Sequence, residues 1–417
     1  MKLLKTALAA GLLAAGLFNP AIAATELVVQ YPYGPTFDPL MKELASRFEA
    51  ENDDIKITYR TSYENYEDAS QRVMREAITK RMPDISFQGL NRIRPLMERD
   101  IAIALDDFLT EDDRQQYGYG DAMMSPARFD GKTWAFPFAI SLPVAYYNMD
   151  LVRSAQGNDS LPTTWDGVIE LAQKINALDG KESGLAYDWH ITGSWLWLAP
   201  MMSQGGKPLD ENGKVAFNNE AGQWTMDLFA RMTQEAKAQN YSRSAKEQSF
   251  VAGNMGIYFT STGSLSKFTR MAGDNFELKT GPFPDVKAGG TLPVGGNAVV
   301  MLTKDQEKQQ AAWQFIRFIT GPEGNALVSP MTGYMSPNPI AAASLTDFLE
   351  QNPNYKTVVN QLPLMDTWHA FPGRNGLKIT DVISDHMESI FSGRMADKPQ
   401  AVNEKMAKDV QKLLPRS

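Results

Sequence analysis

Residues 27–59 read LVVQYPYGPTFDPLMKELASRFEAENDDIKITY, and their pattern decides the fold class. Leu27-Val28-Val29 with Tyr31 is a short apolar run that reads as a buried strand. Pro32, Gly34 and Pro35 then punctuate a turn. Phe37, Leu40, Met41, Leu44 and Phe48 recur at helical spacing, so one face of a helix is apolar. Thr36 or Asp38 can cap that helix, and Pro39 suits its first turn. Ile55, Ile57 and Tyr59 alternate, which marks a half-buried strand. Outward from there, a helix is expected over Glu67–Lys80 with Val73, Ala77 and Ile78 inward, then a strand at Pro83–Phe87. The order strand, helix, strand, helix, strand predicts an α/β fold whose sheet is mainly parallel and covered by helices.

The rest of the chain repeats this style. Trp134–Asn148 is extended and broken by Pro137 and Pro143. Thr164 caps a helix that turns Val168, Leu171, Ala172, Ile175 and Leu178 inward. Strands are expected at 184–189, 255–259 and 298–302. Helices are expected at 195–203, 221–238, 304–320, 380–392 and 402–414, with Gly321-Pro322 ending the one before it. Three extended passages marked by Pro or Gly lie near 134–144, 281–297 and 330–339. Three crossings between two lobes make a hinge and confine motion to one axis. The division expected is 24–138 with 285–330 in lobe 1, and 139–284 with 331–417 in lobe 2.

The first 23 residues carry Lys2 and Lys5, an uncharged apolar run at 8–18 and the small-x-small triplet Ala21-Ile22-Ala23, the three parts of a cleaved secretory signal peptide. The apolar run is shorter than the ~20 residues a membrane span needs. The 417 residues less these 23 leave 394, more than one ordinary domain. No cysteine occurs, so neither disulfides nor a lipid-anchoring thiol after the signal is available. Export to a Gram-negative periplasm as a free monomer is the expectation. The charge is -8 for the full chain, and loss of Lys2 and Lys5 leaves -10, which argues against a nucleic-acid partner.

Only His190, His369 and His386 are present, with no pair at metal-ligand spacing. No phosphate-binding GxxxxGK[ST] loop and no nucleophile-elbow glycine pattern occur. Neither a metal nor a cofactor is expected. Aromatic residues stand out instead, because ring faces cover the apolar C–H surface of sugars while neighbouring polar groups pair hydroxyls. Trp195 and Trp197 follow Thr192 and Ser194; core packing is the alternative for each. Tyr63, Glu64, Tyr66 and Glu67 lie where a strand enters a helix. Ser261, Thr262 and Ser264 flank Gly263 after a strand, where capping is the alternative. Arg374 and Lys378 near Trp368 could meet an acidic group on a ligand.

Several of these stretches together resemble extracellular solute-binding protein family 1, the importer receptors that include maltose-binding and glycerol-3-phosphate-binding proteins. The words carrying the likeness are Pro83-Asp84-Ile85, Gly131 to Pro137, Tyr146-Tyr147-Asn148, Pro162 to Trp165, Gly281 to Pro284, Gly295-Gly296, Thr332-Gly333-Tyr334 and Phe315 to Ile319. They span about 26–415 in order. The resemblance implies the two-lobe periplasmic binding protein fold of type II, a three-segment hinge, and docking of the closed form on a membrane permease pair driven by a separate ATPase. It also implies ligand contacts at Tyr63 and Glu64, Ser141, Trp195 or Trp197, Ser264, Gly296, Tyr334 and Arg374. Where the glycerol-3-phosphate branch places arginine after Gly-Leu, this chain has Gly376-Leu377-Lys378. A carbohydrate or related polyol is therefore the expected ligand and an acidic polyol derivative the alternative. A secreted carbohydrate-active enzyme and a structural or adhesive protein are the rivals from other classes.

Overall fold

The computed structural model describes residues 24–178 and 183–415; the signal segment read at 1–23 lies outside them. Two α/β units are present, each built on its own open sheet. The first sheet has five strands in the order Ile55–Tyr59, Thr25–Gln30, Ile85–Gly89, Gly295–Met301 and Phe136–Ser141. The second has four, in the order Leu278–Gly281, Pro143–Asn148, Met255–Ser261 and Ser183–Tyr187.

Strand direction departs from the mainly parallel expectation. Thr25–Gln30 is parallel to both its neighbours, but Gly295–Met301 is antiparallel to both of its own. In the second sheet only Ser183–Tyr187 and Met255–Ser261 are parallel. The exceptions lie where the chain passes between the sheets: Phe136–Ser141 runs almost straight into Pro143–Asn148, with no helical crossover to restore direction.

Helix Gly34–Glu51 buries Phe37, Leu40, Met41, Leu44 and Phe48, the residues its spacing selects. It begins earlier than expected. Tyr33 precedes it with φ 55°, so neither Thr36 nor Asp38 caps it. The Asp38 carboxylate instead accepts a hydrogen bond from the Tyr31 hydroxyl at 2.8 Å. Helix Tyr66–Thr79 is capped by the Asn65 side chain and buries Val73. Ile78, expected inward, is 84% exposed: five residues beyond Val73 places it well round the helix from that face.

Two of the three crossings fall inside the extended passages expected at 134–144 and 281–297, though not at the lobe boundaries read there. The first is at Leu142, between the two strands just named. The second is at Val294, not near 285. Phe283 packs edge-on against Trp165 at 5.2 Å, and Leu292–Pro293 pairs with Met365–Asp366, so 281–293 stays with the second unit. The third lies near 344–346. Residues 331–343 were expected in the second unit, but helix Pro339–Ala343 packs on helix Pro322–Ala326 of the first.

Asn338 holds that last segment. Its side-chain amide donates to the carbonyls of Tyr117 (2.6 Å) and Thr320 (2.9 Å), and its carbonyl oxygen accepts from the Ile340 and Ala341 amides. Asn338→Ala should lower stability by about 2–4 kcal/mol, because two buried carbonyls lose their donor and a helix loses its cap. Urea unfolding measures this loss. Faster amide exchange at Ile340 and Ala341 would locate it, and unchanged exchange there would contradict it.

Among the described residues no helix is long and apolar enough to cross a membrane.

Candidate functional site

A cavity of about 700 Å³ lies between the two units. On the first unit it is lined by Tyr33 to Thr36 after strand Thr25–Gln30, and by Ser62 to Tyr66 after strand Ile55–Tyr59. On the second, His190 to Thr192 and Trp195 follow strand Ser183–Tyr187, while Ser261, Gly263 and Ser264 end or follow strand Met255–Ser261. All four turns leave the carboxyl ends of parallel strands, where neighbouring connections diverge and open a crevice. Ser141 and Gly296 line the cavity beside the crossings, and Tyr334 and Trp368 also face it.

Of the nine residues singled out in the sequence, Tyr63, Glu64, Ser141, Trp195, Ser264, Gly296 and Tyr334 share this cavity. Trp197 does not. It is fully buried, with its ring edge-on to Phe217 at 4.9 Å. Two residues along helix Trp195–Ser203 turn its side chain about 200° away from that of Trp195. Arg374 is absent from the lining and lies exposed in the turn before helix Gly376–Phe391.

The aromatic wall is broader than the sequence suggested. Tyr33 meets Tyr66 edge-on at 5.1 Å, Tyr66 meets Trp368 at 6.1 Å, and Trp368 meets Trp195 at 6.2 Å. The Trp195 indole N–H donates to the Pro293 carbonyl at 3.0 Å, which fixes the ring at the second crossing. Tyr63 hydrogen-bonds Ser86 through its hydroxyl at 3.2 Å, and Asn297 donates to the Tyr66 hydroxyl at 3.2 Å. Burial raises the pKa of these phenols, so they remain protonated and can donate.

The lining cations are each paired. Arg243 lies 3.2 Å from both Asp188 and Glu247, Lys267 bonds the other oxygen of Glu247, and Arg72 bonds Asp68 at 2.8 Å. Burial works against the Arg243 charge, but Asp188, Tyr33 and Glu247 outweigh it and hold its pKa above that of a free guanidinium. Just behind the lining, burial brings Lys246 down to about 8 against the pull of Asp188. Arg243, Glu247, Lys267, His190 and Tyr33 were not singled out as ligand contacts in the sequence. The available signal was the Arg243/Glu247 spacing of four at a helix start, a pattern shared with ordinary surface pairs.

His369, next to Trp368, is shifted down to about 4 by burial. Below the ordinary value of about 6.5 the unfolded chain takes up a proton that the folded chain refuses until about pH 4. Stability from this group is complete above pH 6.5 and falls as pH drops toward 4. His369→Phe should flatten that acid limb by about 2 kcal/mol, read from urea midpoints at pH 4.5 and 7. An unchanged slope would rule this out.

Among the described residues no group of three or more His, Asp or Glu side chains could hold a metal ion. Residues 43–357 match the family described as bacterial extracellular solute-binding protein. The sn-glycerol-3-phosphate-binding periplasmic protein of Yersinia enterocolitica is 26% identical over 404 residues, covering 90% of this chain and 89% of the relative. Two solved structures share the fold. One, from Mycobacterium tuberculosis in complex with glycerophosphocholine, has a TM-score of 0.78 at 22% identity and covers 91% of this chain and 97% of that one. The other, a solute-binding protein of Thermotoga lettingae bound with α-D-tagatose, has a TM-score of 0.81 at 15% identity and covers 94% and 100%. The two α/β units thus have the type II periplasmic binding protein architecture, and with a match across 43–357 the chain belongs to the bacterial extracellular solute-binding proteins.

Proposed function

We propose that this protein is the periplasmic receptor of an ABC-type importer and holds a carbohydrate or related polyol between its two units. The carrying observation is the cavity, whose lining joins an aromatic wall to Ser141, Ser261 and Ser264 and in which every lining arginine and lysine is already paired. Aromatic faces suit sugar C–H surfaces, and the hydroxyls suit a neutral solute rich in oxygen. A solute touching both units binds the closed arrangement better and shifts the population toward it. The closed monomer then docks on a permease pair served by a separate ATPase. The ligand contacts of this reading are Tyr63, Glu64, Ser141, Trp195, Ser264, Gly296 and Tyr334.

A second reading, an acidic polyol such as glycerol 3-phosphate, is favoured by the name of the Yersinia relative and by the presence of Arg72, Arg243 and Lys267. A phosphate would have to draw those cations from Asp68, Asp188 and Glu247, which weighs toward the neutral solute.

The test is a thermal-shift panel of maltose, tagatose, glycerol 3-phosphate and glycerophosphocholine, with mass spectrometry of solute released from natively purified protein. A solute at a hundredfold excess over its Kd should stabilise the fold by about 2.7 kcal/mol. A sugar that binds and is recovered intact supports the receptor. No shift with any panel member and no released solute would sink it, and turnover of the bound sugar would move the reading to an enzyme.

A further inference from the structure

Strand Ser183–Tyr187 ends in Asp188-Trp189-His190, and His190 emerges into the cavity. Its ring is held on two sides. One face stacks on Trp189, with centroids 3.7 Å apart and planes 26° from parallel. Trp189 is itself fixed: its indole N–H donates to Asn240 at 3.0 Å and its ring stacks on Phe391. At the ring edge, His190 Nδ1 lies 3.1 Å from Lys246 Nζ. Lys246 is fully buried, and its other hydrogen bond goes to the Tyr187 carbonyl at 3.0 Å.

An ammonium has hydrogens and no lone pair, so Nδ1 must accept and the ring proton must sit on Nε2. A free imidazole exchanges between two tautomers; this one is confined to one. We infer that His190 is a solute-binding residue, an Nε2–H donor aimed at a hydroxyl or ether oxygen of the bound solute, with Lys246 as the buried positioning residue that sets its tautomer. This rests on the cavity being the solute site. The charged groups facing His190 are Lys246, on helix Arg243–Val251, and Asp188, at the strand end. Arg243, one turn before Lys246, is engaged by Asp188. A second proton on the ring would stand beside the Lys246 ammonium. Burial and that repulsion keep His190 neutral down to about pH 4, so the donor arrangement persists across the working range.

The arrangement explains why a lysine is buried here. Its role is to spend one hydrogen on the imidazole so that the opposite nitrogen offers one to the cavity. A ring placed by stacking alone would present donor or acceptor alternately and discriminate less between solutes.

The test uses the whole chain. With three histidines, imidazole ¹⁵N resonances can be followed from pH 5 to 7, where Lys246 is still an ammonium, and assigned by their loss in His190→Gln. The expected result is a fixed Nε2-protonated signature for His190 throughout. In Lys246→Met, which keeps the buried volume, His190 should show mixed tautomers and titrate nearer 6.5. A wild-type His190 protonated on Nδ1, or titrating near 6.5, would overturn the lock. Calorimetric affinity for maltose, tagatose, glycerol 3-phosphate and glycerophosphocholine tests the donor role. For a probe that binds, His190→Phe should lose about tenfold, while His190→Gln, which keeps a donor, should stay within about threefold. Equal affinity in His190→Phe would overturn the donor role. If no probe binds the wild type and no solute is released from natively purified protein, the solute reading and the donor role fall together, and the resonances still decide the lock.

Discussion

A chain carrying Gly296→Ala is expected to lose on the order of 3–5 kcal/mol of stability, a large part of what holds a folded protein. Gly296 has φ 111°, outside the range that side chains tolerate. A Cβ there would lie 2.0 Å from the Ala139 carbonyl oxygen and 2.9 Å from the Ile140 Cα. Both are backbone atoms of the paired strand Phe136–Ser141, next to a register shift between Asn297 and Ala298. Neither atom can swing aside as a side chain would, so accommodation requires opening the ladder beside two crossings. Gly213→Ala is the control. Its φ is 71° and nothing lies within 4 Å of the added methyl, so only the conformational penalty of about 1 kcal/mol applies. Urea unfolding of both variants separates steric overlap from backbone preference. Equal, small losses would show that the sheet yields at Gly296.

The second large effect belongs to Asp188→Asn. The Asp188 side chain is fully buried; it accepts from Thr260 at 2.9 Å and pairs with Arg243 at 3.2 Å, and its charge also holds up the pKa of Lys246. Removing this charge leaves the buried Lys246 without its counter-charge and the partly exposed Arg243 with Glu247 alone, which costs about 3 kcal/mol, the low end for a buried pair broken from one side. The double variant Asp188→Asn with Lys246→Met should recover part of that loss, because one uncompensated cation is gone. The pair should therefore be clearly non-additive by chemical denaturation. Strict additivity would mean that Asp188 acts through Thr260 and Arg243 alone.

The legible parts of this fold were those with strong local periodicity. Phe37, Leu40, Met41, Leu44 and Phe48 declare a helix face because nothing else in that segment competes for the core. Passages marked by Pro and Gly were ambiguous for a physical reason. Gly281 to Pro284 has the composition of a link, yet Phe283 supplies a ring that docks on Trp165, and the link becomes part of the second unit. The direction of Gly295–Met301 was hidden because its partners lie about 150 to 215 residues earlier in the chain. At the site, Tyr63 and Ser264 were readable as residues leaving strand ends. Trp195 and Trp197 were indistinguishable until the helix axis was oriented. Arg243, Glu247 and Lys267 look like surface charges in one dimension, and only the fold assembles them into a compensated cluster.

The placement of Gly295–Met301 between Ile85–Gly89 and Phe136–Ser141 bears on how the molecule assembles. If the chain emerges amino end first into the compartment where it folds, both of those strands wait for a filler still to arrive, with unsatisfied amides along the gap. All four strands of the second sheet emerge during that wait. The order of completion is thus inverted relative to the order of emergence: the sheet begun last is the first that can be finished, and residues 295–301 are the keystone that seals the one begun first.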